Sequence, residues 1–314
     1  MKGYSDELPE MVRRRLVSCG DVGVAWMNGL DRLVSDLAEQ WELTLGRILT
    51  GGTAAFVAEA ITADGTSAVL KLKIPGEDPT RSELRMLLAA RGRGYPLVLK
   101  HDETKDALLL ERLGAQLAEL ELPVRAQLEI ICSTLEEAWI SGASAGGFQT
   151  GAEKATALAG GITQMWRELG QPCSERLITR ALEFTARRRQ AFVPESSVLA
   201  HGDVHPWNTL LVPGTGAERF KFVDPDGLFI ERAYDLGILM REWEEDVLAG
   251  DILTNGRARC LHLSRITGIE PDAIWQWGLI ERTSTGLLLK KLGVEKQARQ
   301  YLEIAEAWAM GDSP

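Results

Sequence analysis

Cysteine is scarce in this chain, and the few present do not cluster. The 314 residues include four cysteines, Cys19, Cys132, Cys173 and Cys260, far apart and without a C-x-x-C pair. That excludes a disulfide-stapled scaffold and a cysteine-rich zinc module, and leaves four thiols in a reducing compartment as the expectation. Long apolar runs are missing too. No stretch of about 18 apolar residues exists, so no membrane span is expected. The first residues, Met1-Lys2-Gly3-Tyr4-Ser5-Asp6-Glu7, are polar and acidic, with no signal-peptide core, and a cytoplasmic location is expected. Positive charge is also in deficit. Against 45 acidic residues stand 35 Lys and Arg, a formal net charge of −10, which argues against nucleic acid as a partner. The same charge suits a small cationic molecule drawn into an acidic cleft, although acidity for solubility alone explains it as well.

What is there is an ordinary globular composition, 45% hydrophobic and 25% charged, long enough for one large or two modest domains. Residues 11–40 form an amphipathic helical stretch, with Leu30, Leu33, Val34 and Leu37 at helical spacing. Residues 43–112 change character. Segments 43–49, 54–62 and 67–74 read as strands, with a hairpin turn at Ala63-Asp64-Gly65-Thr66. A helix is expected over 79–91, with Pro79 near its start. Two more strands, 97–100 and 107–112, flank Asp102-Glu103-Thr104-Lys105. Together these predict a small antiparallel-sheet lobe.

Beyond Leu113-Gly114 the pattern is mainly helical. Apolar stripes recur at Leu128, Ile131, Leu135 and Trp139, at Leu158, Ile162, Met165, Trp166 and Leu169, and at Leu236, Leu239, Met240, Trp243 and Val247. Residues 141–151, rich in Gly, Ser and Ala, read as a mobile loop. The expected class is α+β, with a boundary near residue 112: N-terminal helices and a β-rich lobe over 1–112, a helical lobe over 113–314.

One motif interrupts the helical half. His201-Gly202-Asp203-Val204-His205-Pro206-Trp207-Asn208 is followed, after one hairpin, by Phe222-Val223-Asp224-Pro225-Asp226. An acid, an amide and a second acid at these spacings suit phosphoryl transfer from a metal-bound nucleotide. One carboxylate orients or deprotonates an acceptor hydroxyl, while an Asn and a second Asp hold Mg²⁺ on the phosphates. Residues 210–212 and 220–223 read as strands around the turn Pro213-Gly214-Thr215-Gly216. Folding that hairpin sets Asn208 opposite Asp224, next to the loop carrying Asp203. Their oxygens are hard ligands of the kind Mg²⁺ takes. An isolated Asp-x4-Asn would be read as a turn, but here three matched groups converge across apolar strands. Asp203 is thus the candidate base, and Asn208 and Asp224 the candidate metal ligands.

Two rivals stand beside this reading. His201, Asp203 and His205 resemble a metal-hydrolase cluster in which imidazoles bind zinc. That cluster needs further ligands, and only His101 and His262 remain, both on segments that read as packed structure. The other rival is a nucleotide-binding pseudokinase, against which the intact Asp203, Asn208 and Asp224 set argues.

At these residues the chain resembles the aminoglycoside phosphotransferases, most closely their streptomycin 6-phosphotransferase and hydroxyurea phosphotransferase branch. The family pattern is H-G-D-x-H-x-x-N, then a D-P segment and a D-L pair, matched by His201 to Asn208, Asp224-Pro225 and Asp235-Leu236. Further matching stretches are Trp41-Glu42-Leu43, Asp64-Gly65-Thr66, Ala68-Val69-Leu70-Lys71-Leu72, His101-Asp102 and Leu109-Leu110-Glu111-Arg112-Leu113. The departures are Thr209 for Val or Ile, Asp226-Gly227, and Ile230-Glu231-Arg232; the last two lie where acceptor-site loops begin.

The resemblance implies a protein-kinase-like bilobal fold with a nucleotide in the cleft. Lys71 shares a strand face with Val69, which would roof the purine, and is placed to neutralise phosphate charge; Lys73 is its runner-up. Glu83 would hold Lys71 extended, with Glu59 as competitor. Gly51, Gly52 and Thr53 would let backbone N–H groups approach phosphates. Glu111 and Leu113 would bind the adenine edge through their backbone. ATP is preferred to GTP as the nucleotide, with Mg²⁺. The implied acceptor is a small hydroxylated molecule, streptomycin or a related aminoglycoside, with hydroxyurea or another metabolite as the alternative. Asp235 is expected to anchor the catalytic loop. Glu242, Glu244, Glu245 and Asp246 read as a solvated face or an acidic wall, and Trp275, Trp277 and Glu281 as core or acceptor contacts.

Overall fold

A strand that is apolar at every second position has one face to bury, and three such strands fall in the first third of this chain. The computed structural model describes residues 3–50, 55–76, 81–214, 218–311 and 313–314. It divides into two units, Met1–Gly114 and Ala115–Pro314. In the first, β1 (Leu43–Ile48), β2 (Ala55–Thr62), β3 (Ser67–Lys73), β4 (Val98–Asp102) and β5 (Ala107–Glu111) form an antiparallel sheet in the order β1-β2-β3-β5-β4. Phe56, Ala58 and Ala60, Ala68, Leu70 and Leu72, and Ala107 and Leu109 point to one side. Helices α1 (Glu10–Ser18) and α2 (Gly20–Trp41) supply the matching stripe, Val12, Leu16, Leu30, Val34, Leu37 and Trp41. Full burial of each large aliphatic side chain contributes roughly 1.5–3 kcal/mol. Neither helix has an N-cap side-chain hydrogen bond, so packing holds them there.

The other face of β3 carries Val69, Lys71 and Lys73, since successive side chains alternate. Helix α3 (Ser82–Ala90) presents Glu83 to both lysines. The expected helix start at Pro79 lies outside the described residues.

The second unit is built round helix α10 once its helices are laid down in order: α4 (Val124–Ala138), α5 (Gly151–Glu168), α6 (Glu175–Gln190), α7 (Ala233–Arg241), α8 (Glu244–Leu248), α9 (Ile252–Thr267), α10 (Pro271–Lys291) and α11 (Glu295–Met310). Helix α10 packs against α5, α6, α7, α9 and α11, with Ile274, Trp275, Trp277, Leu279, Ile280 and Leu287 fully buried. It meets α7 closely at two glycines: a Cβ at Gly237 would sit 2.4 Å from the Trp277 Cβ, and one at Gly278 2.6 Å from the Met240 Cβ. A side chain there would push the two helices apart.

Two expectations are corrected. Residues 141–151 are pinned at both ends: β6 (Ile140–Ser141) and β7 (Gln149–Thr150) join β8 (Val198–Ala200) and β11 (Leu228–Ile230) in a sheet ordered β6-β8-β11-β7. Strands this short are below the length at which alternation shows in sequence. Thr150 then caps α5 through a reciprocal box with Glu153. The stripe from Leu236 to Val247 also breaks, because Trp243 adopts φ 49° between α7 and α8. The expected hairpin is present as β9 (Thr209–Leu211) and β10 (Phe220–Phe222), with Thr209 opposite Phe222.

Candidate active site

A loop carboxylate keeps one orientation only if the loop itself is held. Here the anchor is Asp235, buried in the first turn of α7. Its Oδ1 accepts the Gly202 N–H at 2.8 Å, and its Oδ2 accepts the His201 N–H at 3.1 Å and the Trp139 indole N–H at 2.9 Å. Burial pushes the Asp235 carboxyl up, against the opposing pull of these donors. Gly202 has φ 93°, and a Cβ there would lie 2.9 Å from the Asp226 Cβ. Only glycine fits that turn without strain.

His201 continues the lock. Its Nδ1 accepts the Asp203 N–H at 3.1 Å, and its Nε2 lies 2.9 Å from the Val223 carbonyl oxygen. One neutral tautomer, protonated on Nε2, satisfies both. No lone pair is then left for zinc, which removes His201 from the metal-hydrolase cluster. His262, a second needed ligand, packs against Arg265 instead.

Asp203 follows on this fixed backbone. Its Oδ1 accepts from Arg241 Nη2 at 2.7 Å, and its Oδ2 lies 3.5 Å from His205 Nε2. Burial alone would raise the Asp203 carboxyl, but the nearby His205 and the Arg241 charge outweigh it and hold the group well below the usual carboxylate range. Asn208 turns its amide N–H to the Asp203 carbonyl at 3.1 Å, which directs its Oδ1 elsewhere. The Val223 N–H donates to the Asn208 carbonyl at 2.9 Å, so Asp224 begins one step past Asn208 on the facing strand. Asp224 is exposed, at φ 56°. The hairpin thus brings Asp203, Asn208 and Asp224 to one end.

In the first unit Lys71 Nζ lies 2.6 Å from Glu83 Oε1, and Lys73 Nζ 2.8 Å from Glu83 Oε2. Glu83 is 2% exposed, so both lysines are tied to a buried carboxylate. The competitor Glu59 serves Arg47 and Arg112 instead, at 3.0 and 2.9 Å. Val69 is half-buried on the Lys71 face, the Glu111 carboxylate accepts the Leu97 N–H at 3.0 Å, and Leu113 is buried. Gly51, Gly52 and Thr53 lie outside the described residues.

Several acids and aromatics find structural partners. Trp275 stacks on Trp308, and Trp277 packs edge-on to Tyr234 with its indole N–H on Glu231 at 2.9 Å. Both are core. Glu231, one of the departures from the family pattern, also pairs with Arg188 at 3.2 Å. The acidic run divides: Glu242 faces Arg241, Asp246 binds Arg259, and Glu245 is exposed. Sequence reasoning passed over Arg241. Its signal was a lone cation ending an otherwise buried helix.

The chain can now be set beside known proteins. Residues 40–291 match the family described as aminoglycoside/hydroxyurea antibiotic resistance kinase. A streptomycin 6-kinase of Streptomyces glaucescens is 27% identical over 278 residues, 87% of this chain and 88% of that one. A hydroxyurea phosphotransferase of Kitasatospora aureofaciens is 29% identical over 283 residues, covering 86% and 80%. Among solved structures, the choline kinase of Streptococcus pneumoniae superposes with a TM-score of 0.62 at 14% identity, covering 90% of this chain and 99% of that one. A spectinomycin phosphotransferase in complex with ADP and spectinomycin gives 0.53 at 13% identity, covering 88% and 98%. These last likenesses establish the kinase-like fold, a small antiparallel-sheet unit followed by a larger helical one. Because the family match runs from residue 40 to residue 291, through the catalytic motif and on into α10, the chain belongs to the aminoglycoside/hydroxyurea antibiotic resistance kinases.

Proposed function

We propose that this kinase moves the γ-phosphoryl group of ATP to a hydroxyl of streptomycin or a related aminoglycoside, with Asp203 as the catalytic residue. The observation that carries the reading is the fixed Asp203 carboxylate, on a loop locked by Asp235 and His201 beside Asn208 and Asp224. Held by Arg241, that carboxylate orients the acceptor hydroxyl and takes its proton late, as suits a loose phosphoryl-transfer transition state.

Asn208 and Asp224 would hold Mg²⁺. The fit rests on donor chemistry: the Asn208 Oδ1 is directed away from the bond its own amide makes to Asp203, and Asp224 is an exposed carboxylate. Bound there with the nucleotide, the ion would neutralise charge on the β- and γ-oxygens. Lys71 and Lys73, held by Glu83, would orient the phosphates. Val69 would cover the purine, and the backbone at Glu111 and Leu113 would take the adenine edge. Gly51, Gly52 and Thr53 would approach the phosphates. A cytoplasmic setting, with its ATP and reduced thiols, goes with this chemistry.

Streptomycin is favoured over hydroxyurea by charge. The net charge of −10 suits a cationic acceptor better than a neutral one. The test is ATP consumption across streptomycin, other aminoglycosides, hydroxyurea and small hydroxylated metabolites, with product identified by mass. Phosphorylated streptomycin is the expected product. Turnover of hydroxyurea with streptomycin inert would overturn the acceptor assignment.

A further inference from the structure

Each nitrogen of the Arg241 guanidinium faces a different carboxylate. Nη2 is 2.7 Å from Asp203 Oδ1, Nε is 3.0 Å from Glu242 Oε1, and Nη1 is 3.9 Å from Glu281 Oε2. The guanidinium is a planar fork of fixed geometry. With Nε bonded to Glu242 the plane of the fork is set, and Nη2 is turned to Asp203. We propose that Arg241 is a positioning residue for the phosphoryl-transfer reaction: it fixes the Asp203 carboxylate so that Oδ1 is occupied and Oδ2 is the oxygen presented to the acceptor hydroxyl. This rests on the reading of Asp203 as the catalytic residue.

The groups beneath Arg241 are themselves held. Glu281, 5% exposed on α10, uses its other oxygen to accept the Tyr234 hydroxyl at 2.6 Å. Tyr234 is fully buried on α7 and packed edge-on to Trp277. At the end of α7, the last carbonyls have no partners within the helix. Arg282 supplies them, donating from Nη2 to the Met240 and Arg241 carbonyls at 2.8 Å each. Arg259 donates to the Glu242 carbonyl at 2.5 Å. Arg282 is itself fully buried between the rings of Tyr301 and Trp308, at 4.9 and 5.1 Å. The backbone under Arg241 is thus fastened from α9 and α10, and its side chain by the bond to Glu242, with the Glu281 charge beside it.

The two ends of α7 then act on the same loop. Its first turn holds the loop backbone, through Asp235 on His201 and Gly202. Its last residue holds the loop's reactive side chain, through Arg241 on Asp203. On the far oxygen of Asp203, the His205 contact of 3.5 Å is longer than a good hydrogen bond. That oxygen is the one an incoming hydroxyl can claim. Without Arg241 the carboxylate would turn about its own bond, and the two oxygens would exchange places.

The experiment compares Arg241→Lys, Arg241→Ala and Asp203→Asn with the wild type, using ATP and streptomycin, with kcat, both KM values and Tm measured. A misplaced reacting group costs on the order of a hundredfold in rate. Arg241→Ala should lose kcat on that scale while KM for ATP holds, and added guanidinium chloride at non-denaturing concentration should restore part of it. Arg241→Lys, which keeps the charge and loses the fork, should fall about tenfold in kcat at unchanged Tm. Wild-type kcat in Arg241→Lys would overturn the inference, and that variant decides the matter if Arg241→Ala does not fold. A loss in Arg241→Ala that follows a lowered Tm and is not rescued would also overturn it, since the role would then be structural. Turnover surviving in Asp203→Asn would sink the underlying reading of Asp203. Asp203→Asn inactive with both Arg241 variants at wild-type kcat would remove this inference alone.

Discussion

In the first unit one carboxylate serves two cations; in the second one cation serves three carboxylates. Glu83 lies between Lys71 and Lys73, and Arg241 lies among Asp203, Glu242 and Glu281. In each cluster an ion of one sign holds several of the other, in a setting where an unpaired charge is costly. The shared ion differs in sign: a carboxylate holds the lysines of β3, and a guanidinium holds the carboxylate of the catalytic loop. A shared counter-ion thus keeps functional side chains of either sign in place.

The severest way to break the comparison is to neutralise its reactive member. Asp203→Asn should lower turnover by roughly a hundredfold or more, as for loss of a positioned base, while calorimetric titration returns the wild-type affinity for ATP. The Arg241 bond would be weakened in this variant, yet the first unit is untouched.

Removing the hub of the other cluster should have a different signature. Glu83→Ala leaves Lys71 and Lys73 without their shared carboxylate, and breaking a buried pair from one side costs about 3 kcal/mol. Urea unfolding should show that loss, and KM for ATP should rise while KM for the acceptor stays put. A fall in kcat with KM for ATP unchanged would mean that the lysines do not meet phosphate.

Salt offers a gentler test of the two signs. Screening acts over about 8 Å at physiological ionic strength. kcat/KM for streptomycin should therefore fall steadily with added salt, and any turnover of neutral hydroxyurea should not. Equal slopes for the two acceptors would show that the chain's net negative charge plays no part in capture.

The smallest expected effect separates the units by their thiols. Burial pushes Cys132, Cys173 and Cys260 up to about 12, and all three lie in the second unit. An unfolded thiol titrates near about 8.5. Between these values the unfolded chain has lost protons that the folded one keeps, so stability is full below about pH 8.5 and declines as pH rises above it. Unfolding curves from pH 8 upward should show the decline, and Cys260→Ala should flatten it. An unchanged slope in that variant would mean the alkaline loss arises elsewhere.

How much of this was legible in advance differs between the halves. The strands of the first unit were readable because alternation persists over whole segments, as at Ala68, Leu70 and Leu72 against Val69, Lys71 and Lys73. The hairpin from Thr209 to Phe222 was readable from its turn cluster, and it set Asn208 beside Asp224 as expected. The sheet containing Ile140, Gln149, Val198 and Leu228 was not, since strands of two or three residues have no period to detect. The acidic run after Arg241 looked like one face and is divided among separate partners.

The sequence by itself determined the chemistry available: an acid, an amide and an acid at fixed spacing on a loop and hairpin, a lysine strand, and an α+β order of elements. Those follow from covalent distance and local periodicity, which act over a few residues. Tertiary structure alone decided which charges meet. Glu83 was the favoured partner for Lys71 with Glu59 as its competitor, and the choice was made only when α3 brought Glu83 to the lysines while Arg47 and Arg112 took Glu59. Arg241 and Asp203 are separated by 38 positions, and Arg241 and Glu281 belong to different helices. Pairings of that kind depend on the rotation and packing of whole elements, set by the buried stripes on their far sides, and no short stretch of sequence contains them.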